Sequence, residues 1–324
     1  MKKILVTGAG GFIGGHLVKE LINRGYQVRA TDIKPFDEWY QYFDKVENLE
    51  LDMAIKENCY KATEGMGDVI NMACNMGGMG FIENNKALCM LSVLVNTHML
   101  MACKEHKIKR YFFSSSACAY NTDLQKDPKI TGLKESDAYP AMPEDGYGWE
   151  KLFGERMCRH FFEDYGLDVK VARYHNIYGP NGTYDGGREK APAALCRKVI
   201  SSILNNEEKI DVWGDGNQTR SFLYIDDCVE ATLKLFDSKH HGPINIGSEE
   251  QVSINEMIEK IEKISNKNVK KNYQLDKPKG VMGRNSDNTL IRSQLKWEPK
   301  FTLYQGLKKT YEWIFSEMKK KHNQ

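Results

Sequence analysis

Short apolar runs alternate with stretches of helical periodicity through the first half of the chain. Lys3 to Thr7 has the composition of a buried strand, Phe12 to Arg24 repeats its apolar positions on one helical face, and Gln27 to Asp32 is a second strand-like run. Asp68 to Ala73, Arg110 to Ser115 and Asp168 to Tyr174 continue the strand series, and helical stretches around Asn85 to Lys107 and Gly148 to Tyr165 separate them. Alternation of this kind predicts an α/β chain built on a doubly wound parallel sheet, with ligands at the carboxyl ends of its strands. Beyond about residue 176 the pattern becomes irregular, and Asn181-Gly182, Gly186-Gly187 and Asp215-Gly216-Asn217 mark turns. The expected division is a nucleotide-binding domain over 1–176 and a smaller, mainly substrate-binding domain over 177–324. The 224–236 segment should return to the first domain as a helix.

Composition narrows the partners. The 324 residues are 41% hydrophobic, enough for one large core. A formal charge of +2, from 46 basic and 44 acidic residues spread along the chain, provides no general field for nucleic acid or an anionic membrane. Met1-Lys2-Lys3 leads straight into a strand-like run, which is not the pattern of a signal peptide. The apolar run Ala87 to Cys103 is interrupted by Asn96, Thr97 and His98, and reads as a buried or dimer-forming helix and not a membrane span. Eight scattered cysteines form no C-x-x-C pair, so no metal site is expected and reduced thiols in the cytoplasm are the default.

The glycines Gly8, Gly11 and Gly14 sit where the first strand ends and the first helix begins, with Phe12 and Ile13 opening that helix. Small residues there let the backbone turn tightly and approach a pyrophosphate, whose charge the helix N-terminus meets. Asp32, at the end of the next strand, is placed to accept the ribose hydroxyls and would repel a 2′-phosphate. The cofactor predicted is NAD, in a Rossmann-type domain. Asp52 follows another short strand-like run and is placed either to bond the adenine or to sit solvated in its loop.

Tyr147 and Lys151 are four apart in a helical stretch, so they share one face about one turn apart. A neighbouring ammonium favours a phenolate, which brings Tyr147 nearer to a working general base. Ser116, at a strand end, can bond both a substrate hydroxyl and the phenol. Together the three form a Ser-Tyr-Lys set for oxidation by a nicotinamide.

The G-x-x-G-x-x-G spacing resembles that of the extended short-chain dehydrogenase/reductases. Met76 to Ile82, Ser115 to Cys118, Leu133 to Ala138, His175 to Pro180, Gly186 to Ala194, Trp213 to Phe222 and Gly283 to Asn288 are similar, in matching order, to the GDP-mannose 3,5-epimerase family within that group. The resemblance implies a GDP-linked sugar as substrate, oxidised at C4 so that the hydrogens at C3 and C5 become acidic. It implies that Cys118 and Lys190 are the acid/base pair that inverts those carbons. A thiol lies close to working pH and suits the group that takes the proton, and an ammonium suits the group that returns one. The resemblance further implies that Gly77, Ser116, Asn176, Glu189, Lys190, Lys198, Gln218, Arg220 and Arg284 bind the substrate, with Arg188 in support. It also implies a homodimer, formed by the apolar helix within Ala87 to Lys107 and the Tyr147-bearing helix. Asn75, Tyr139, Asn121-Thr122 and Met282 depart from the family pattern at an aspartate, a tryptophan, a Pro-Glu and an arginine. They flank the sugar and phosphate regions, so the choice of sugar stays open and includes a GDP-linked heptose.

Two other readings stand beside the 3,5-epimerase. One is a nucleotide-sugar 4-epimerase or an oxidoreductase that stops at the 4-keto product; a 4,6-dehydratase fits less well, because Ala117-Cys118 stands where that class has Asp-Glu. The other is a dinucleotide-binding scaffold or sensor without turnover, against which the joint presence of Ser116, Tyr147 and Lys151 argues.

Overall fold

A computed structural model describes residues 2–278 and 280–322. The first half runs β1 (Lys3–Thr7), α1 (Phe12–Asn23), β2 (Gln27–Asp32), β3 (Glu47–Glu50), α2 (Lys56–Thr63), β4 (Asp68–Asn71), α3 (Met79–Asn84), α4 (Lys86–Met90), α5 (Val93–Glu105), β5 (Arg110–Ser116), α6 (Asp145–Tyr165) and β6 (Asp168–Tyr174). The second half runs β7 (Ile177–Tyr178), α7 (Ala191–Leu204), β8 (Lys209–Trp213), β9 (Thr219–Ser221), β10 (Leu223–Tyr224), α8 (Ile225–Phe236), β11 (Pro243–Ile246), β12 (Gln251–Ser253), α9 (Ile254–Ser265), β13 (Lys270–Gln274), β14 (Gly283–Arg284), α10 (Thr289–Leu295) and α11 (Leu303–His322).

Seven parallel strands form the central sheet in the order β11-β6-β5-β4-β1-β2-β3. The chain builds outward from β1 to β3, then crosses back to β4, so the direction of winding reverses between β1 and β4. A crevice opens at the carboxyl ends of strands at such a point. Side chains along β1 alternate faces: Ile4 and Val6 join the core cluster that includes Leu17, Val199, Ile258 and Leu307, while Leu5 joins Val69, Met99, Tyr111 and Phe113 on the other face. Burial on both faces explains why this strand is a continuous apolar run.

The strands expected at 3–7, 27–32, 68–73, 110–115 and 168–174 are present to within two residues. Two differences have physical causes. The 224–236 segment does form a helix beside the sheet, but the chain continues into β11, which pairs with β6 and makes the edge of the sheet. A four-residue run such as Pro243 to Ile246 is too short for periodicity to distinguish from a loop. The apolar stretch around Asn85 to Lys107 breaks at Leu91 and Ser92 into α4 and α5. Cys89, Val95, Met99, Leu100, Ala102 and Cys103 face inward there, whereas Leu88, Met90, Leu91, Leu94 and Met101 are exposed, as are Trp149 and Phe153 of α6.

Buried polar groups tie the sheet to the parts above it. Arg173, 2% exposed, gives both Nε (2.8 Å) and Nη2 (2.7 Å) to the Glu155 carboxylate, which also accepts the Ser115 hydroxyl. Arg173 Nη1 donates to the Glu135 carbonyl, and Asn245 Nδ2 donates to the carbonyls of Leu133 and Asp287. These bonds fasten the 133–138 and 283–288 segments over the strand ends. Those two segments carry part of the site.

Candidate active site

At the end of β1 the backbone turns at Gly8, in the left-handed region at φ +64°, and Gly11 N–H donates to Gly8 O. A Cβ on Gly14 would lie 2.1 Å from Gly8 O, so only glycine lets α1 begin this close to the strand. Gly11 caps α1 with no side-chain bond, and no acidic residue occupies the first turn. The amides there are left for an anion. Asp32 is buried at the end of β2 and accepts the Lys34 amide at 3.1 Å. Burial raises its pKa, opposed by Lys34 and the backbone amides around it. Asp52 is half-buried beyond β3, and one carboxylate oxygen accepts Ala54 N–H at 2.8 Å.

Ser116 ends β5, and a short turn over Ala117–Ala119 follows, in which Cys118 N–H donates to Ser116 Oγ at 3.1 Å. Two glycines of α6 bring the helix onto this strand end. A Cβ on Gly148 would sit 2.3 Å from Cys118 O, and one on Gly154 would sit 2.4 Å from the Phe113 ring. That close approach sets Tyr147, on the same helix face, beside Ser116 and Cys118. Tyr147 packs with Cys118 in one buried cluster, with the Ser116 hydroxyl close enough to act on its phenol. Burial nevertheless pushes the phenol's pKa well up, with Ser116 pulling the other way. The Lys151 ammonium lies 5.5 Å from the centre of the Tyr147 ring and 4.9 Å from that of Phe113. Burial works against this ammonium, but Cys74 and Glu150, the latter at 3.4 Å, hold its pKa up. The expected lowering of Tyr147 by Lys151 is therefore not what these side chains produce on their own.

Cys118 is 7% exposed, and its sulphur accepts Arg284 Nη1 at 3.4 Å. Arg284 is 3% exposed; its Nε donates to Gln125 Oε1 at 2.7 Å and its Nη2 to Glu144 Oε2 at 2.8 Å. Burial, reinforced by Glu144, pushes the Cys118 thiol up to about 11, against the pull of Arg284. Lys190 is half-buried at the N-cap of α7. Its loop is pinned by Gly78, whose N–H donates to Arg188 O and whose missing Cβ leaves room for Glu189 O. Burial lowers the Lys190 pKa, opposed by Cys118, Cys228 and Cys74, which places the ammonium within electrostatic reach of Cys118.

The remaining expected residues divide between the cleft and the framework. Arg220 and Arg284 stand side by side in register across β9 and β14. Burial and the neighbouring Arg284 pull Arg220 down to about 10. Gln218 is buried, with Nε2 on Trp213 O and Oε1 available as an acceptor. Glu189 spends its carboxylate on Gly187 N–H and Arg197, Asn176 gives Nδ2 to Ser221 O, and Lys198 gives Nζ to Asp211 O. Gly77 packs against Phe81, and the Arg188 guanidinium lies 4.0 Å from the centre of the same ring.

Glu144, Gln125, Cys74 and Gly78 were not expected from sequence. A carboxylate just before a helix is ordinarily read as complementing the helix dipole, so nothing local marks Glu144. Asn121 is where the chain departs from the family pattern, and its Oδ1 accepts Asp123 N–H while its own carbonyl accepts Gln125 Nε2. This turn delivers Gln125 to Arg284.

Residues 4–247 match the NAD dependent epimerase/dehydratase family. The chain belongs to it. NAD is the cofactor of this epimerase/dehydratase, and the Gly8–Gly14 cradle, the uncapped start of α1 and the buried Asp32 fit that dinucleotide. Among curated relatives, GDP-mannose 3,5-epimerase of Arabidopsis thaliana is 45% identical over 319 residues, spanning 98% of this chain and 83% of that one. Among solved structures, UDP-glucuronic acid 4-epimerase of Bacillus cereus, in complex with UDP-glucuronic acid and NAD, superposes with a TM-score of 0.80 at 27% identity, covering 98% and 99% of the two chains. UDP-glucose 4-epimerase of Thermotoga maritima has the same fold, with a TM-score of 0.87 at 24% identity and coverage of 98% and 99%.

Proposed function

We propose that this enzyme is a GDP-mannose 3,5-epimerase or acts on a close GDP-linked sugar, inverting C3 and C5 through a transient 4-ketone. One observation carries this reading: Cys118 packs against Tyr147 and bonds Ser116 through its backbone, beside the groups that serve oxidation, with Lys190 in electrostatic reach. A 4-epimerase needs no such pair. NAD, when bound, supplies the acceptor for the two electrons taken from C4 and returns them at the end.

Ser116 would orient the C4 hydroxyl and Tyr147 would accept its proton, which requires the positive charge that NAD would bring beside Lys151 to draw the buried phenol down toward phenolate. The ketone makes the hydrogens on C3 and C5 acidic, and inversion requires one group to remove a proton and another to deliver one to the opposite face. Burial raises the Cys118 thiol and lowers Lys190, which draws the proton affinities of the two groups together, as a pair that alternately takes and gives a proton requires. After one inversion the two groups have exchanged protonation states, poised for the opposite order at the second carbon, and two inversions restore the starting state without a net proton.

Arg220 and Gln218 support binding of the diphosphate and the nucleoside end, because a half-buried guanidinium and an unpartnered buried acceptor suit those groups. The apolar face of α4, α5 and α6 supports a homodimer, since Leu91, Leu94, Trp149 and Phe153 are all exposed on it. Eight free cysteines, seven of them buried, support a reducing, cytoplasmic setting. The test is incubation with GDP-mannose in heavy water. Deuterium should enter C3 or C5, and Cys118→Ala should abolish this exchange while the bound NAD is still reduced. Absence of exchange with both GDP-mannose and a GDP-heptose would overturn the reading, and accumulation of NADH with a ketone would support an oxidoreductase instead.

A further inference from the structure

Arg284 approaches Cys118 from a strand 166 residues away. Its three nitrogens are each used once, on Gln125, Cys118 and Glu144. The Glu144 carboxylate lies at the start of α6, where its own N–H donates to Cys118 O at 2.9 Å. The same residue thus holds the turn that carries the thiol through its backbone and the guanidinium that touches the thiol through its side chain. We propose that Glu144 is a positioning residue for the proton exchange, one that offsets the pull of Arg284 on the Cys118 sulphur, while Gln125 fixes the guanidinium's orientation. The inference rests on the acid/base role given to Cys118 above.

Charge around the sulphur gives the physical reason. Arg284 of β14 and Arg220 of β9 face it with positive charge, as does Lys190 at the head of α7 when protonated, and each such charge favours the thiolate. Ser116 at the end of β5 and Tyr147 on α6 face it as neutral hydroxyls. Glu144 faces it with negative charge and favours the thiol. Glu144 and Arg284 thus oppose each other at one sulphur: Arg284, in contact with it, stabilises the thiolate, and Glu144, bonded to that guanidinium, offsets the pull so that the group can both take and give a proton.

Ultraviolet difference titration of the NAD-loaded enzyme, with Cys118→Ala as the blank, follows this one thiol without requiring a reagent to enter the cleft or a substrate to turn over. Glu144→Gln keeps an oxygen for Arg284 but removes the charge, and its Cys118 should titrate about one pH unit below wild type. Arg284→Lys should move the titration the other way. Titration of the Glu144→Gln thiol at or above the wild-type position, or of the Arg284→Lys thiol below it, overturns the proposal. A purely structural role for Glu144 would damage both variants without moving their thiols in opposite directions. Because no sugar is involved, the outcome is independent of whether deuterium exchange identifies the substrate.

Discussion

Replacing Gly14 with alanine tests whether the close start of α1 is what makes the dinucleotide site. The added Cβ would stand 2.1 Å from Gly8 O, 2.8 Å from Gly8 C and 2.9 Å from Ala9 Cα. Carbon and oxygen ordinarily approach no closer than about 3.3 Å, so the helix and the loop must separate by roughly 1 Å. Gly8 cannot retreat, because the space behind it is filled by the Met72 carbonyl carbon and the Ala73 nitrogen, at 2.8 and 2.9 Å from a Cβ position on Gly8. Overpacking of this sort costs about 1–3 kcal/mol, against which a helical alanine returns about 1 kcal/mol over glycine. The shift also misaligns amides aimed at the pyrophosphate. Losing one charge-assisted bond of about 1.5–3 kcal/mol weakens NAD binding roughly tenfold to a hundredfold. Isothermal titration with NAD, alongside the thermal midpoint, measures both. Gly15→Ala is the control, since its Cβ would meet the flexible Gln41 side chain at 3.2 Å and Ala9 O at 3.4 Å. The reasoning is refuted if the Gly14 variant binds NAD as wild type does, or if the Gly15 variant is damaged as severely.

Other consequences follow from the buried charges and the exposed helix face. Glu155→Gln leaves the Arg173 guanidinium buried without its counter-charge and should cost about 3–5 kcal/mol in urea unfolding, and a loss near zero would show the pair to be dispensable. Burial pulls His175 down to about 3, while Nε2 meets Asn245 Oδ1 at 2.9 Å. An unfolded histidine titrates near 6.5, so between those values the unfolded chain binds the extra proton. Stability should be full above about pH 6.5 and fall as pH drops toward 3; a His175→Gln variant whose unfolding midpoint keeps the same pH slope would show that another group is responsible. Leu94→Glu combined with Phe153→Glu should convert the proposed dimer to monomers in sedimentation velocity, because it puts charge into the apolar face of α5 and α6. An unchanged sedimentation coefficient would place the contact elsewhere.

Local pattern alone determined the alternation of strands and helices, the glycine loop, and the pairing of Tyr147 with Lys151 on one helix face. Each of these depends on residues a few positions apart, where side-chain direction follows from the helical or extended period. Asp32 was legible for the same reason, as the last residue of a strand. The strand β11 was not, because four residues carry no usable period and its place is decided by pairing with β6. Nor was the balance at Cys118. Sequence could supply a thiol of ordinary pKa and a lysine of ordinary pKa. Only the packing of Gly148 on Cys118 O, and the arrival of Arg284 and Glu144 at one sulphur, decided how far burial and charge move them. Desolvation and Coulomb interaction depend on distance in space, and residues 118, 144, 190 and 284 become neighbours only when the chain is folded.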